Sequence, residues 1–390
     1  MKITGLKTYI VDPGTGGSVP RTRKNLIFVK VETDTGIYGW GESYTQSDRD
    51  SSTAAHITEL GRHLEGRDPF NIKHFTQVSY EDFAHKRGGM DFWCAVSGIE
   101  HALWDIVGKT LNVPIYKLLG GACRDRIKVY ANGWSDALET PKEYADAAKK
   151  VVQRGFTALK FDPFQGPWRL WIKPDMEKKA VETVRSVREA VGPDVDIMVE
   201  GHRRLAPMHA IKIIKDIEPY RPFWYEEPCP AENLDALAEV RHATQVPIMT
   251  GETLYTKSDF RQVFEKRAAD IINPDVCNTG GILELKEIAA MAEPHLIAVS
   301  PHNFNSVGIG LAATLQASAT MPNFLITEYF INMEPFVHKI VDEPFVVKNG
   351  YIQLPDKPGL GIDIKEDDLT KYSPTSRAPR HIREVHEEGP

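Results

Sequence analysis

What this sequence lacks narrows its function before any motif does. Its 390 residues include four cysteines, Cys94, Cys123, Cys229 and Cys277, scattered with no CxxC or zinc-finger spacing. A cysteine-held metal and a disulfide framework are therefore set aside, and buried free thiols in a reducing cytosol are expected. No apolar run approaches the roughly 20 residues needed to span a bilayer. The opening KITGLKTYIV is too short and too soon interrupted for a signal peptide. Positive charge is not in excess either: the formal net charge is -7, which argues against a general nucleic-acid binder. An anionic substrate then needs cations placed locally. Finally, no GxGxxG follows the first strand-like run, which disfavours a dinucleotide-binding fold. The expectation is a cytoplasmic protein without membrane or nucleic-acid partners.

What is present has the texture of a globular enzyme, with 42% hydrophobic and 26% charged residues. Residues 1 to 45 read as strands, with Asp34-Thr35-Gly36 as a hairpin turn between two alternating apolar runs. The glycine-rich stretch 13–25 has neither a following helix nor a Lys-Ser/Thr pair, so it reads as a flap or surface loop, not a phosphate cradle. From Ser51 to Leu119 the spacing turns helical, clearest in CAVSGIEHALWDIVGKTL, where Val96, Ile99, Ala102, Leu103, Ile106 and Val107 share a face. Strand and helix then alternate strictly. Strands are predicted at 127–132, 157–162, 195–200, 222–227, 247–252, 270–275, 296–302 and 324–329. Eight short strands, apolar on both faces, predict a parallel sheet closed into a barrel. Residues 335–364 read as short strands and turns that pack back on the first domain, before a charged tail.

A barrel of this kind holds its site at the C-terminal strand ends. Those ends carry Lys160, Glu200 with His202, Glu226 with Glu227, Glu252, Asp275, His302 and Glu328. One glutamate at a strand end is ordinarily a solvated or capping residue. A ring of ionisable ends is not needed for stability. Three apolar runs end at Glu200, Glu226 and Glu252, about 25 residues apart, which is the length of one strand–helix unit. Three converging carboxylates repel and call for a cation, and an all-oxygen set from rigid strands suits Mg²⁺ better than zinc. His202 and His302 remain alternative ligands. Asp275, ending the strand before His302, is placed to fix one imidazole tautomer, which makes His302 a candidate general base. A structural histidine capping the strand is the competing reading. His202 can approach from another side as an acid.

These residues carry a resemblance. The chain resembles the enolase superfamily, its mandelate racemase-like group, over nearly its whole length. The resemblance rests on YEEP, TGE, NPD, SPH, ITE, the helix GIEHALWDIVGK and the glycine pair of NTGGI. It implies an α/β fold: a modified (β/α)7β TIM-type barrel at 126–330, an N-terminal α+β capping domain at 1–125 and a C-terminal segment at 331–390 returning to the cap. It also implies Mg²⁺ on Glu200, Glu226 and Glu252, a His302–Asp275 dyad and Glu328 on the substrate carboxylate. The shared first step is removal of the proton α to a carboxylate, with the metal neutralising the enediolate.

Within the superfamily, Glu200-Gly-His202 is similar to the Asp-x-His of galactonate-dehydratase-like enzymes, whose histidine expels a β-hydroxyl; glutamate replaces the usual aspartate here. Lys160-Phe-Asp162 replaces the Lys-x-Lys of racemases, and Asp275 stands where cycloisomerase-like members place a lysine. The resemblance therefore implies a sugar-acid dehydratase giving a 2-keto-3-deoxy acid, with a small-molecule sugar acid as partner and a homo-oligomeric state. A racemase or epimerase with Lys160 as second base is the alternative, and a binding protein without catalysis a third. Lys160 could instead neutralise the anion. Trp168 and Trp171, in an insertion after the second barrel strand, could stack on a sugar or mediate a subunit contact.

Overall fold

The computed structural model describes residues 1–15, 24–46, 48–83, 88–164, 170–304, 306–374 and 381–387. It opens with a three-stranded antiparallel sheet, β1 (Ile3–Val11), β2 (Leu26–Thr33) and β3 (Tyr38–Ser43), in that order. The predicted turn joins β2 to β3, and Gly36 takes φ +83 there, a dihedral that suits a residue without Cβ. Helices α1 (Asp50–Leu64), α2 (Ile72–Val78) and α3 (Met90–Leu111) follow. Helix α3 lies so close on β3 that a Cβ on Gly41 would stand 1.7 Å from the Gly98 carbonyl oxygen. Its residues are buried on nearly all sides, Ser97, Glu100 and His101 included, because the helix is held between sheet and barrel.

Eight parallel strands form the barrel: β4 (Arg126–Asn132), β5 (Ala158–Phe161), β6 (Asp196–Glu200), β7 (Trp224–Glu226), β8 (Ile248–Thr250), β9 (Ile271–Ile272), β10 (Ala298–Val299) and β11 (Thr327–Phe330). Each pairs with the next from β4 to β10, β11 pairs with β4, and a bridge from Val299 to Phe324 closes the ring. Every predicted strand segment overlaps one of these strands; all the paired cores but β4 are shorter, and β4 begins and β11 ends one residue outside the predicted bounds. In 270–275 and 296–302 only two residues pair as strand, since Pro274 and Pro301 have no N–H to give the ladder.

Side chains alternate along a strand, and this sets the interior of the barrel. Tyr130, Ala158, Met198, Trp224, Met249, Ile271 and Ile326 form a buried apolar plug. Two residues further along the same strands stand Asn132, Lys160, Glu200, Glu226, Asn273 and Glu328. The polar site is thus the next layer above a dry floor.

After β11 the structure departs from the reading of strands and turns. Glu334–Ile340 is a helix, with Pro335 in its first turn and Phe336, Val337 and Ile340 buried on one face. That spacing, three and four residues to Ile340, is helical. A hairpin, β12 (Val347–Lys348) and β13 (Tyr351–Gln353), then pairs antiparallel with the start of β4. The chain runs on to the N-terminal elements: the Leu360 amide donates to Asp105 at 2.9 Å, and the Asp12 amide to the Tyr372 carbonyl at 2.7 Å. All four cysteines are free, but Cys123 is exposed, because it sits in the link before β4 and not in a core. No helix among the described residues is long and apolar enough to cross a membrane.

Candidate active site and metal centre

Glu200 and Glu226 end β6 and β7, and their backbones are paired. Glu252 lies two residues past β8, brought round by Gly251 at φ +140. All three carboxylates are buried and offer oxygens within 4.8 Å of one another. Ligands about 2.1 Å from a Mg²⁺ ion would be separated by roughly 3 to 4.2 Å, so the group needs only a small contraction to hold one. Oε2 of Glu200 is buried without a hydrogen-bond partner, with the Lys160 ammonium 3.4 Å away, so it keeps a lone pair that a metal ion could take. Burial pushes the Glu200 and Glu226 carboxyls up, to about 7 and about 8; repulsion from Glu252 adds to it at Glu200, and from Glu200 and Glu252 at Glu226, while Lys160 opposes both. Burial acts on Glu252 too, but Arg203 and His302 beside it hold that carboxyl well below the usual range. The residues present fit a hard divalent cation.

Lys160, on β5, points into the same layer. Its Nζ donates to Glu226 at 2.7 Å, lies 2.9 Å from Glu328 and 3.4 Å from Glu200. Burial would lower its basicity, yet these carboxylates outweigh that and keep the ammonium charged. Glu226 also accepts from Trp224 Nε1 at 3.0 Å and Asn273 at 2.8 Å, so the plug and the neighbouring strand orient it.

On β9 and β10 the segments beyond the paired residues meet again, with Asp275 and His302 forming a parallel bridge. His302 Nδ1 lies 2.6 Å from Asp275 Oδ2, while its Nε2 is 3.3 Å from Glu252 and 3.6 Å from Glu328. Burial lowers the imidazole, but Glu252, Glu328 and Asp275 outweigh it and raise the group to about 9. Glu328 is held at both oxygens, by Asn132 at 2.7 Å and the Asn303 amide at 3.0 Å. Lys160 and His302 overcome the effect of its burial and bring it down to about 2.

His202 follows β6 in the left-handed region, φ 47, and its amide donates to Glu200 at 2.7 Å. Its Nδ1 lies 2.6 Å from Asp162, past the end of β5, and Arg204 donates to the other Asp162 oxygen at 2.7 Å. Burial would raise Asp162, but these two partners bring its carboxyl below the ordinary value. A second histidine–aspartate pair thus stands across the ring from the first: the third barrel strand bears one, the seventh the other.

Residues 143–368 match a family model described as enolase C-terminal domain-like, and residues 10–120 match the mandelate racemase / muconate lactonizing enzyme N-terminal domain. The chain belongs to the enolase superfamily. Its relatives include a D-gluconate dehydratase from Thermoproteus tenax, 37% identical over 89% of this chain and 69% of that one. A D-galactonate dehydratase from Cronobacter sakazakii is 36% identical over 96% of this chain and 94% of its own. The structure of a mandelate racemase/muconate lactonizing enzyme from Jannaschia sp. CCS1 superimposes with a TM-score of 0.89 at 32% identity, covering 97% of this chain and 99% of the other.

All eight residues singled out by the superfamily resemblance lie in this one site: Lys160, Glu200, His202, Glu226, Glu252, Asp275, His302 and Glu328. The sequence reading passed over several of their neighbours. Arg203 donates to Glu252 and, at 3.1 Å, to Glu227, which in turn accepts from Thr250 and the Gly251 amide. Asp162 was noted in Lys160-Phe-Asp162 without a role; the period of two from Lys160 was the available signal. Tyr44 and Phe304 flank the His302 ring, each centroid 6.2 Å away, and Lys24 Nζ lies 4.4 Å from both aromatic centroids. Nothing local in the sequence marks that cluster. Residues 16–23 of the glycine-rich stretch and Trp168 lie outside the described residues, and Trp171 is exposed.

Proposed function

We propose that this enolase-superfamily enzyme is a sugar-acid dehydratase, a hydro-lyase that converts an aldonate to a 2-keto-3-deoxy acid. The observation that carries this reading is the pair of oppositely placed histidines, each held by its own aspartate at 2.6 Å, on either side of the carboxylate cluster. A dehydration needs two proton-transfer groups, one to take the C2 proton and one to protonate the departing 3-hydroxyl. Glu200, Glu226 and Glu252 would hold a divalent ion, Mg²⁺ by the donor set, whose charge offsets that developing on the substrate carboxylate. His302 takes the proton through Nε2, with Asp275 fixing Nδ1 and stabilising the imidazolium. His202 gives its proton to the leaving hydroxyl, with Asp162 orienting it. Glu328 and Lys160 help to seat the substrate carboxylate. The dehydratase names of the relatives support the same reaction class. Cytoplasmic location and homo-oligomeric assembly belong to the same proposal.

The rival epimerase would require Lys160 as a neutral second base. Three carboxylates around its ammonium oppose that role. The test is a panel of aldonic and aldaric acids assayed for 2-keto product with and without Mg²⁺. His202→Asn is expected to keep C2 proton exchange in deuterated water while losing dehydration by about a hundredfold or more. Exchange with inversion and no loss of hydroxide in the wild type would favour the epimerase.

A further inference from the structure

The segment Asp275 to Gly281 touches more of the site than its position after a two-residue strand suggests. Asp275 holds His302, and Asn278 donates to the Glu252 carbonyl at 2.9 Å. One loop therefore steadies both the proposed base and a proposed metal ligand. Its amides bond inward on Asp275 itself: those of Asn278 and Thr279 reach the Asp275 carbonyl at 3.1 and 2.9 Å, and that of Cys277 reaches its side chain at 2.7 Å.

What fixes this loop from outside is the cap. Helix α3 presents Ser97, Glu100, His101 and Trp104, a spacing of three and four that puts them on one face. The first three are fully buried polar residues in a mostly apolar helix. His101 Nε2 meets the Val276 carbonyl at 3.0 Å, and Ser97 accepts from the Gly280 amide at 2.9 Å. The two oxygens of Glu100 accept from the Ile282 and Leu283 amides at 2.8 and 3.0 Å, and Trp104 braces the carboxylate at 2.8 Å. Tyr44, just after β3, adds a backbone bond to the Cys277 carbonyl at 3.0 Å. Gly281 accommodates this approach: a Cβ there would lie 2.2 Å from Glu100 Oε2. A buried carboxylate is costly, and a helix packing on a loop does not need one for adhesion. What it supplies is direction, since two amides aimed at one carboxylate fix the loop's exit as well as its position.

We infer that Glu100, with Ser97 and His101, is a positioning residue: a clamp from the cap that sets the Asp275–Gly281 loop and, through it, the His302–Asp275 pair. The dehydratase reading supplies one of the two readouts, and the other is independent of it. Glu100→Ala is expected to lower kcat by about tenfold or more on any sugar acid the wild type dehydrates, with KM within about threefold. In ¹⁵N-histidine-labelled protein, the downfield proton shared by His302 Nδ1 and Asp275, assigned with His302→Asn, should broaden or vanish in the same variant. Glu100→Gln keeps the volume and one acceptor, and should fall between wild type and alanine. Val187→Ala, in the core of a barrel helix away from the loop, controls for lost stability; it should leave the kcat and the resonance unchanged. If Glu100→Ala does not fold, Ser97→Ala removes one acceptor only and should show the same two effects at smaller size. Wild-type kcat and an unshifted resonance in the folded variants would overturn the clamp. A wild type that dehydrates no sugar acid would sink the functional reading, and the resonance would still decide this one.

Discussion

Lys160 shows how a single residue can settle between two chemistries. Buried and enclosed by Glu226, Glu328 and Glu200, it acts as a fixed cation, and removing it would leave unpaired buried carboxylates at a cost of about 3–5 kcal/mol. His302 differs in that its Nε2 faces the proposed substrate space. His302→Asn is therefore expected to stop C2 proton exchange by at least about a thousandfold while Mg²⁺ still binds, as calorimetry on the purified variant would show. Exchange at near wild-type rate would remove His302 from the role of base. The ionisable strand ends were legible because alternation along a strand, and one strand–helix unit between ends, are local properties. Arg203 was not. It and His202 are consecutive left-handed residues, φ 61 and 47, and that turn is what swings the guanidinium between Glu227 and Glu252. No periodicity announces such a turn.

Among the elements, β8 has three residues, and its usefulness depends on the glycine that follows it. Gly251 has φ +140, and a Cβ there would stand 2.8 Å from a Phe260 ring carbon. Gly251→Ala should strain the turn, displace Glu252 and weaken Mg²⁺ binding by about tenfold or more, with the loss of affinity measured by titration at constant pH. An unchanged affinity would show that Glu252 is placed by Arg203 alone. The barrel strands could be read from sequence since each couples an apolar run to a polar end. The helix at Glu334–Ile340 is not legible in the sequence because seven residues give too few repeats for its helical spacing to stand out from the turns and strands around it. The polar face of α3 could not be interpreted alone, since its partners lie about 180 residues away in the chain.

At the scale of the whole molecule, the crowding of carboxylates ties stability to pH. Glu200, Glu226 and His302 have folded values raised to about 7, 8 and 9, above their unfolded ones. The stability linked to these groups is complete below the unfolded values, near 4.5 for the carboxyls and 6.5 for the imidazole, and is lost as pH rises through the folded ones. Glu252 and Glu328 shift the other way, so the stability they contribute is complete above about 4.5 and is lost only as pH falls into the acid range. Without a divalent ion the melting temperature should thus fall from pH 5.5 to pH 8.5. Added Mg²⁺ should offset the fall, because it favours the deprotonated carboxylates. Melts at three pH values with and without the ion would check this, and parallel curves would contradict it. The ring closure described above has a kinetic counterpart. Thr327 must find Val129 across nearly 200 residues, and next to that seam β10 meets its neighbour at one bridge. Contacts so distant in sequence are slow to form, so a nascent or partly opened chain keeps Glu328 and His302 apart. On the roles proposed for those two residues, dehydration should begin only once the last barrel strand has docked.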